Sequence, residues 1–312
     1  MENSCKNIVI DDSAAGQRLD NFVFTKMKGV PKGRLYKAIR NGEVRVCSKR
    51  KKHSYKLLID DIVRLPPIRV ADSKEKEIDE FLLSKLSTII KENILHEDND
   101  LLVLNKPSGM SVHAGTNQPV GVIEALRYSM TELDFLELGH RLDRATSGVL
   151  VLLKNRKSLL EFQKQLNENS TVKKYSCLVN GVWPQKITKI DKPIAAKLVS
   201  ENNKKMVIDA NGKQAVTLFK IIEKFEKHTL MEATLKTGRT HQIRVHTASI
   251  CCPVVGDDKY NLIKHKLPAN GIMLHASSIS FVWPNKEGYY NFSAPLPEGF
   301  KACINQIKNI NV

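Results

Sequence analysis

The chain has 312 residues, 42% of them hydrophobic and 26% charged, with a formal net charge of +16. That length suggests two domains, and the composition is that of an ordinary globular protein rather than a disordered or fibrous one. No apolar stretch approaches the ~18 residues of a membrane helix. The start, MENSCKNIVIDD, lacks the basic and apolar regions of a signal peptide, so the expectation is a cytoplasmic protein with no membrane partner.

Residues 1–72 carry 16 Lys+Arg against 8 Asp+Glu, which is half of the excess charge in less than a quarter of the chain. Clustered cations suit a polyanion, because neutralising phosphates releases condensed counterions. Gly16 to Val23 opens a helical pattern, with Leu19, Phe22 and Val23 at i, i+3, i+4. Pro31 starts a second helix at the first helical position, where proline is tolerated, and Asn41-Gly42 ends it. Short strands at Val44–Cys47 and Ile59–Leu65 flank the basic turn Lys49-Arg50-Lys51-Lys52. Through its RLD start, its GRLYKAIRNGEVRV run and its IDDIVRLPP close, this unit over 1–70 resembles the S4 RNA-binding domain. The resemblance implies that Lys32, Arg34, Lys37 and Arg40 face RNA; without a partner they would form an ordinary solvated basic face.

Pro66-Pro67 and the charged run 71–77 read as a linker, extending to 92 through an amphipathic stretch with Phe81, Leu82, Leu86 and Ile89 on one side. A larger α+β domain follows over 93–312. Strands are expected at 100–104, 149–153, 174–182, 215–222, 229–236, 272–282 and 289–294, with helices at 157–169, 240–250 and from 297 onward. Thr240 is the expected N-cap of the second of these helices. With few helices between strands, a mixed, mostly antiparallel sheet is expected.

Three segments carry chemistry. In HRLDRATSG, a locally extended Arg141–Asp143 points both charged side chains to one face, roughly 6.6 Å apart, with Leu142 packed behind. The turn before strand 149–153 is a position where sites often sit. In KTGRTHQIRVH, Arg239 precedes a helix N-terminus, which the dipole disfavours, so it wants a carboxylate or phosphate; pointing into water is an equal alternative on this ground. In KKYSCLVNG, Tyr175 by default packs in the core.

Together these runs, with NKPSGMSVH, GDDKY and LHA, resemble the RluA superfamily of pseudouridine synthases over nearly the whole chain. The resemblance implies an isomerase that converts uridine to pseudouridine in large-subunit ribosomal RNA, in the branch that carries an S4 domain. It implies that Asp143 is the essential carboxylate and that Arg239 forms a salt bridge with it. Tyr175 stacks on the base and is a candidate for the final removal of the C5 proton. Arg141 enters the space left by the flipped nucleotide, and Ile243 lines the pocket near Arg239.

The reaction breaks N1–C1′ and joins C5 to C1′, with no electron transferred and no group lost. No cofactor is therefore expected, and a single ionised Asp serves either to attack C1′ or to remove the C2′ proton. A glycosidase or an aspartic protease needs a second carboxylate, and a hydrolytic serine would need a G-x-S-x-G run. A non-catalytic RNA-binding ribosome-assembly protein, or a synthase acting on transfer RNA, is the remaining alternative. Cys251 and Cys252 follow His241 and His246 at no usual zinc spacing, so free thiols and no metal are expected. The absence of a long apolar surface segment suggests a monomer.

Overall fold

The structure, a computed structural model, describes residues 5–11, 14–27, 30–67, 80–115, 118, 120–200, 203–261, 271–283 and 289–310. The expected linker run 71–77 lies outside them. The chain divides into two compact units, Met1–Glu77 and Ile78–Val312.

In the first unit, β1 (Lys6–Val9) is followed by α1 (Leu19–Lys26), α2 (Lys32–Asn41), β2 (Arg45–Val46) and β3 (Ile62–Leu65). The strands form an antiparallel sheet in the order β1-β3-β2. Leu19, Phe22, Val23, Leu35, Ala38 and Ile39 pack its helices onto Val44, Val46, Val63 and Leu65. Pro31 is the N-cap of α2, one position earlier than expected, and Gly42 ends the helix in the left-handed region at φ 75°. The basic face of α2 is not uniform. Lys32, Lys37 and Arg40 are exposed, whereas Arg34 is held by Glu43 through two hydrogen bonds of 2.6 and 3.2 Å.

The second unit opens with α3 (Glu80–Lys91), which buries Leu83, Ser87 and Ile90 and packs against α4 (Val122–Ser129). This corrects the reading of 78–92 as linker: the stretch is part of the larger unit. Its buried face is also turned by about one position, leaving Phe81 76% exposed. The strands are β4 (Ile94–Glu97), β5 (Leu101–Lys106), β6 (Glu137–Leu138), β7 (Ser147–Leu153), β8 (Val172–Asn180) and β9 (Lys189–Asp191). They continue with β10 (Ile194–Ser200), β11 (Asn203–Ile208), β12 (Val216–Lys224), β13 (His228–Leu235), β14 (Leu274–Val282) and β15 (Tyr289–Ser293). Three further helices are α5 (Arg156–Asn167), α6 (Gln242–Ala248) and α7 (Glu298–Ile310).

The main sheet runs β4-β5-β7-β14-β8-β13-β12-β9, with β15 on β14 and β6 on β7, while β10 and β11 pair only with each other. Among the described residues the only parallel pairing is β7 with β14; the rest of the sheet is antiparallel, as expected. Strand alternation sorts the apolar residues into two layers. Leu102, Leu104, Leu150 and Leu152 join α3 and α4, while Leu101, Val103, Val149 and Val151 join Leu159 and Phe162 of α5. Covered on both sides, β7 is buried at every residue.

Gly148, at φ 109°, sits where β7 and β14 first meet, and a Cβ there would strike the Ala276 backbone. That close approach explains the glycine of HRLDRATSG and brings the preceding loop to the centre of the sheet.

Candidate active site

A cavity of 520 Å³ opens at the edge of β8 and β13, and Arg141, Asp143, Tyr175, Arg239, Ile243 and Arg244 all line it. The structure therefore gathers the carboxylate, both expected arginines, the tyrosine and the isoleucine from three distant segments.

Asp143 lies in the loop between β6 and β7. Residues 141–143 form no strand, yet the expected alternation holds: Leu142 is 4% exposed in the core while its neighbours face the cavity. A turn closes the loop, with the Thr146 N–H donating to the Asp143 carbonyl at 3.0 Å. The segment after β5 clamps that turn. Ser108 Oγ donates to the Ala145 carbonyl at 2.6 Å, and Gly109 N–H donates to the Arg144 carbonyl at 2.9 Å. Lys106, fully buried, donates through Nζ to the carbonyls of Pro107, Met110 and Arg144. Burial lowers its pKa to about 7, against the opposing pull of Asp143. Below Asp143, His140 Nε2 accepts from the Val151 N–H at 3.1 Å, and burial brings this imidazole down to about 3, so it is neutral at physiological pH.

The ion pair is where the structure departs from the expectation. Arg244, not Arg239, places Nη1 3.7 Å from Asp143 Oδ2. Arg239 sits in an exposed turn and donates from Nε to the Gln214 carbonyl at 2.9 Å. Arg244 emerges from the first turn of α6, where every residue from Gln242 to Thr247 is buried. A buried guanidinium needs a fixed partner, and Asp257 supplies it through two hydrogen bonds of 2.8 Å. Asp257 also accepts the backbone N–H groups of Lys259 and Tyr260. Arg244 is thus anchored from behind and offers its remaining edge to Asp143.

His241, weighed from sequence only as a metal ligand, was not expected beside Asp143. Its Nε2 also lies 3.7 Å from Asp143 Oδ2, and its Nδ1 is 2.7 Å from Tyr260 Oη. Tyr260 Oη accepts the Met206 N–H at 3.2 Å and keeps its own proton to donate. The His241 tautomer in which Nδ1 accepts that proton turns Nε2–H towards the carboxylate. Burial, assisted by Arg244, holds the His241 pKa below its ordinary value.

His241, not Thr240, is the N-cap of α6, with φ 56° and no side-chain capping bond. Gln242 replaces the cap. Its Oε1 accepts from Thr237 Oγ1 and the Arg239 N–H, and its Nε2 donates to the Val216 carbonyl and Thr217 Oγ1. Four satisfied bonds on a buried amide fix the turn that carries Arg239 and His241.

Tyr175 stands in the middle of β8, in register with Ala233 and Ala276, so small neighbours leave room over its ring. It is 8% exposed and reaches both the core and the cavity. Burial and then Asp143 raise its pKa well above the ordinary phenol value. A phenol kept neutral suits stacking and is a poor base for the C5 proton. Ile243, 4% exposed, forms apolar wall beside Arg239.

The described cysteines are all free thiols, and Cys177 is buried with its pKa pushed up to about 12. Among the described residues no helix is long and apolar enough to cross a membrane.

A family model described as RNA pseudouridylate synthase matches residues 100–249. A protein of Buchnera aphidicola (Schizaphis graminum), "Ribosomal large subunit pseudouridine synthase C", is 42% identical over 306 residues, covering 96% of each chain. The Escherichia coli K12 protein of the same name is 40% identical over 313 residues, covering 98% of each. Among solved structures, "Human RNA Pseudouridylate Synthase Domain Containing 4" superposes with a TM-score of 0.62 at 25% identity, over 73% of this chain and 98% of the other.

Proposed function

The chain belongs to the RNA pseudouridine synthase family, and from that premise we propose that its substrate is large-subunit ribosomal RNA and that Asp143 carries the isomerisation. The observation that supports this most is a single carboxylate set in a cavity with a stacking tyrosine and several cations. The names of the relatives from Buchnera and Escherichia coli point to the large subunit as the source of the RNA.

The target uridine leaves its stack at a cost of about a few kcal/mol. Tyr175 takes one face of the base, and Arg141, exposed at the mouth, fills the space left in the RNA. The ribose then lies over Asp143. Attack on C1′ and removal of the C2′ proton both start from the carboxylate, and Arg244 places positive charge beside it before and after N1–C1′ breaks. The freed uracil turns on Tyr175 until C5 faces C1′. The C5–C1′ bond forms as Asp143 leaves C1′ or returns the C2′ proton. The product is completed as C5 loses its proton and N1 gains one, with no net change in composition. Lys32, Lys37 and Arg40 of the S4-like unit give general affinity for the phosphate backbone, with Arg34 bracing the helix through Glu43.

Pseudouridine mapping in cells that lack the protein tests this reading. Specific large-subunit sites should lose the modification and regain it with the wild-type chain. Loss confined to transfer RNA would reassign the substrate.

A further inference from the structure

On β8, neighbouring lysines meet opposite fates. Alternation sends Lys174 to one face of the strand, where Nζ pairs with Glu232 Oε1 at 3.3 Å. Lys173 goes to the other face, the face of Tyr175, and lines the cavity. It is half-buried, and among the described residues its ammonium makes no hydrogen bond or ion pair. A charge withdrawn from water without a partner is unfavourable, and burial lowers the Lys173 pKa accordingly.

The surroundings say which partner is missing. Gly238 stands beside the ammonium, with room for a Cβ 3.7 Å from Nζ. His140, close enough to feel the Lys173 charge, is kept uncharged mainly by burial, and the same cavity is lined by Asn167 and Asn169, whose side-chain amides can donate without carrying charge. Asp143 is the one carboxylate among the residues lining the cavity, and it is paired with Arg244 and His241. A cation with amide donors and no competing acid matches a phosphate group. Along the strand Lys173 lies two residues from Tyr175, roughly 6.6 Å, which is the scale of one nucleotide from base to backbone.

We propose that Lys173, with Asn167 and Asn169, is the subsite for a phosphate flanking the flipped uridine, so that the substrate itself supplies the anion this lysine lacks. The proposal rests on the reading that the Asp143 cavity receives the target nucleotide.

The test pairs Lys173→Met with RNA oligonucleotides carrying one neutral methylphosphonate, placed 5′ or 3′ of the target uridine and protected by a 2′-methoxy neighbour. Affinity is the readout, because the methoxy group, which shields each linkage from its 2′-hydroxyl, lies on the target ribose itself in the 3′ case and would alter turnover there for a reason unrelated to the phosphate. Against unmodified RNA, Lys173→Met should bind about 10–100-fold more weakly, the range of one charge-assisted hydrogen bond, and Lys173→Arg should restore most of it. One of the two neutral linkages should weaken the wild type by a similar factor and leave Lys173→Met unaffected. The thermal midpoint of Lys173→Met should stay the same or rise, because an unpaired cation has been removed. Equal penalties in wild type and variant at both linkages would overturn the proposal. A wild-type protein that forms no pseudouridine in unmodified RNA would instead overturn the reading on which it rests.

Discussion

The two units of this chain use charge in opposite ways. In Met1–Glu77 the cations of α2 and of the 49–52 turn stand mostly in solvent, each similar to the next. In Ile78–Val312 the decisive charges are withdrawn from solvent and individually partnered: the buried Arg244 with Asp257, the buried Lys106 with three carbonyls, the half-buried Asp143 with Arg244 and His241. Solvated charges attract any polyanion and are nearly interchangeable. Partnered charges hold one geometry, and replacing one strands the other.

The sharpest break of that contrast is Arg244→Ala. It leaves Asp257, 2% exposed, without its guanidinium, and should cost about 3–5 kcal/mol in denaturant unfolding. Arg239→Ala should change stability by about 0.5 kcal/mol or less, since that side chain sits in an exposed turn. Equal losses for the two arginines would return the ion-pair role to Arg239.

Lys106 sharpens the contrast through pH. Its folded value of about 7 lies below the ordinary 10.5. Between those values the unfolded chain binds the extra proton, so the stability of the wild type should rise with pH across this window. Lys106→Met should flatten the rise in unfolding curves collected from pH 7 to 10, and an unchanged slope would mean that Lys106 keeps its proton in the fold.

The smallest effect belongs to the first unit. Lys37→Gln with Arg40→Gln should leave folding and the rate at saturating RNA unaltered. The slope of log affinity against log salt should become shallower by about one to two, uniformly across RNA sequences. An effect on only one target site would give these residues a reading role rather than a general one.

Legibility in the sequence followed the same division. The continuous apolar run Val149–Leu153 and the glycine stop at Gly42 were visible because they are local, and Pro31 marked the start of α2 to within one position. Asp143, Tyr175 and Ile243 were reached through runs of neighbouring residues. Arg244 was passed over because its reason lies in Asp257, thirteen positions on in GDDKY and adjacent only in the fold. A sequence signal did exist: an arginine inside the apolar helix QIRVHTA is an arginine that must be paired. Tyr260, which orients His241, lies in that same GDDKY run. The hairpin of β10 and β11 was missed for another reason. It pairs only with itself, and Lys197, Lys204 and Lys205 blur the alternation that a strand packed on the core would show. The helix α4 is eight residues long and starts at a glycine, with Glu124 accepting the Gly121 N–H in place of a capping side chain.

Asp143→Asn is the most direct measurement. Its carboxylate makes only 3.7 Å contacts and none of the buried bonds of the clamp, so the variant should fold and bind RNA as the wild type does. Incubated with large-subunit ribosomal RNA, it should form no pseudouridine. Pseudouridine formation within tenfold of the wild-type rate would contradict the assignment of the chemistry to this carboxylate.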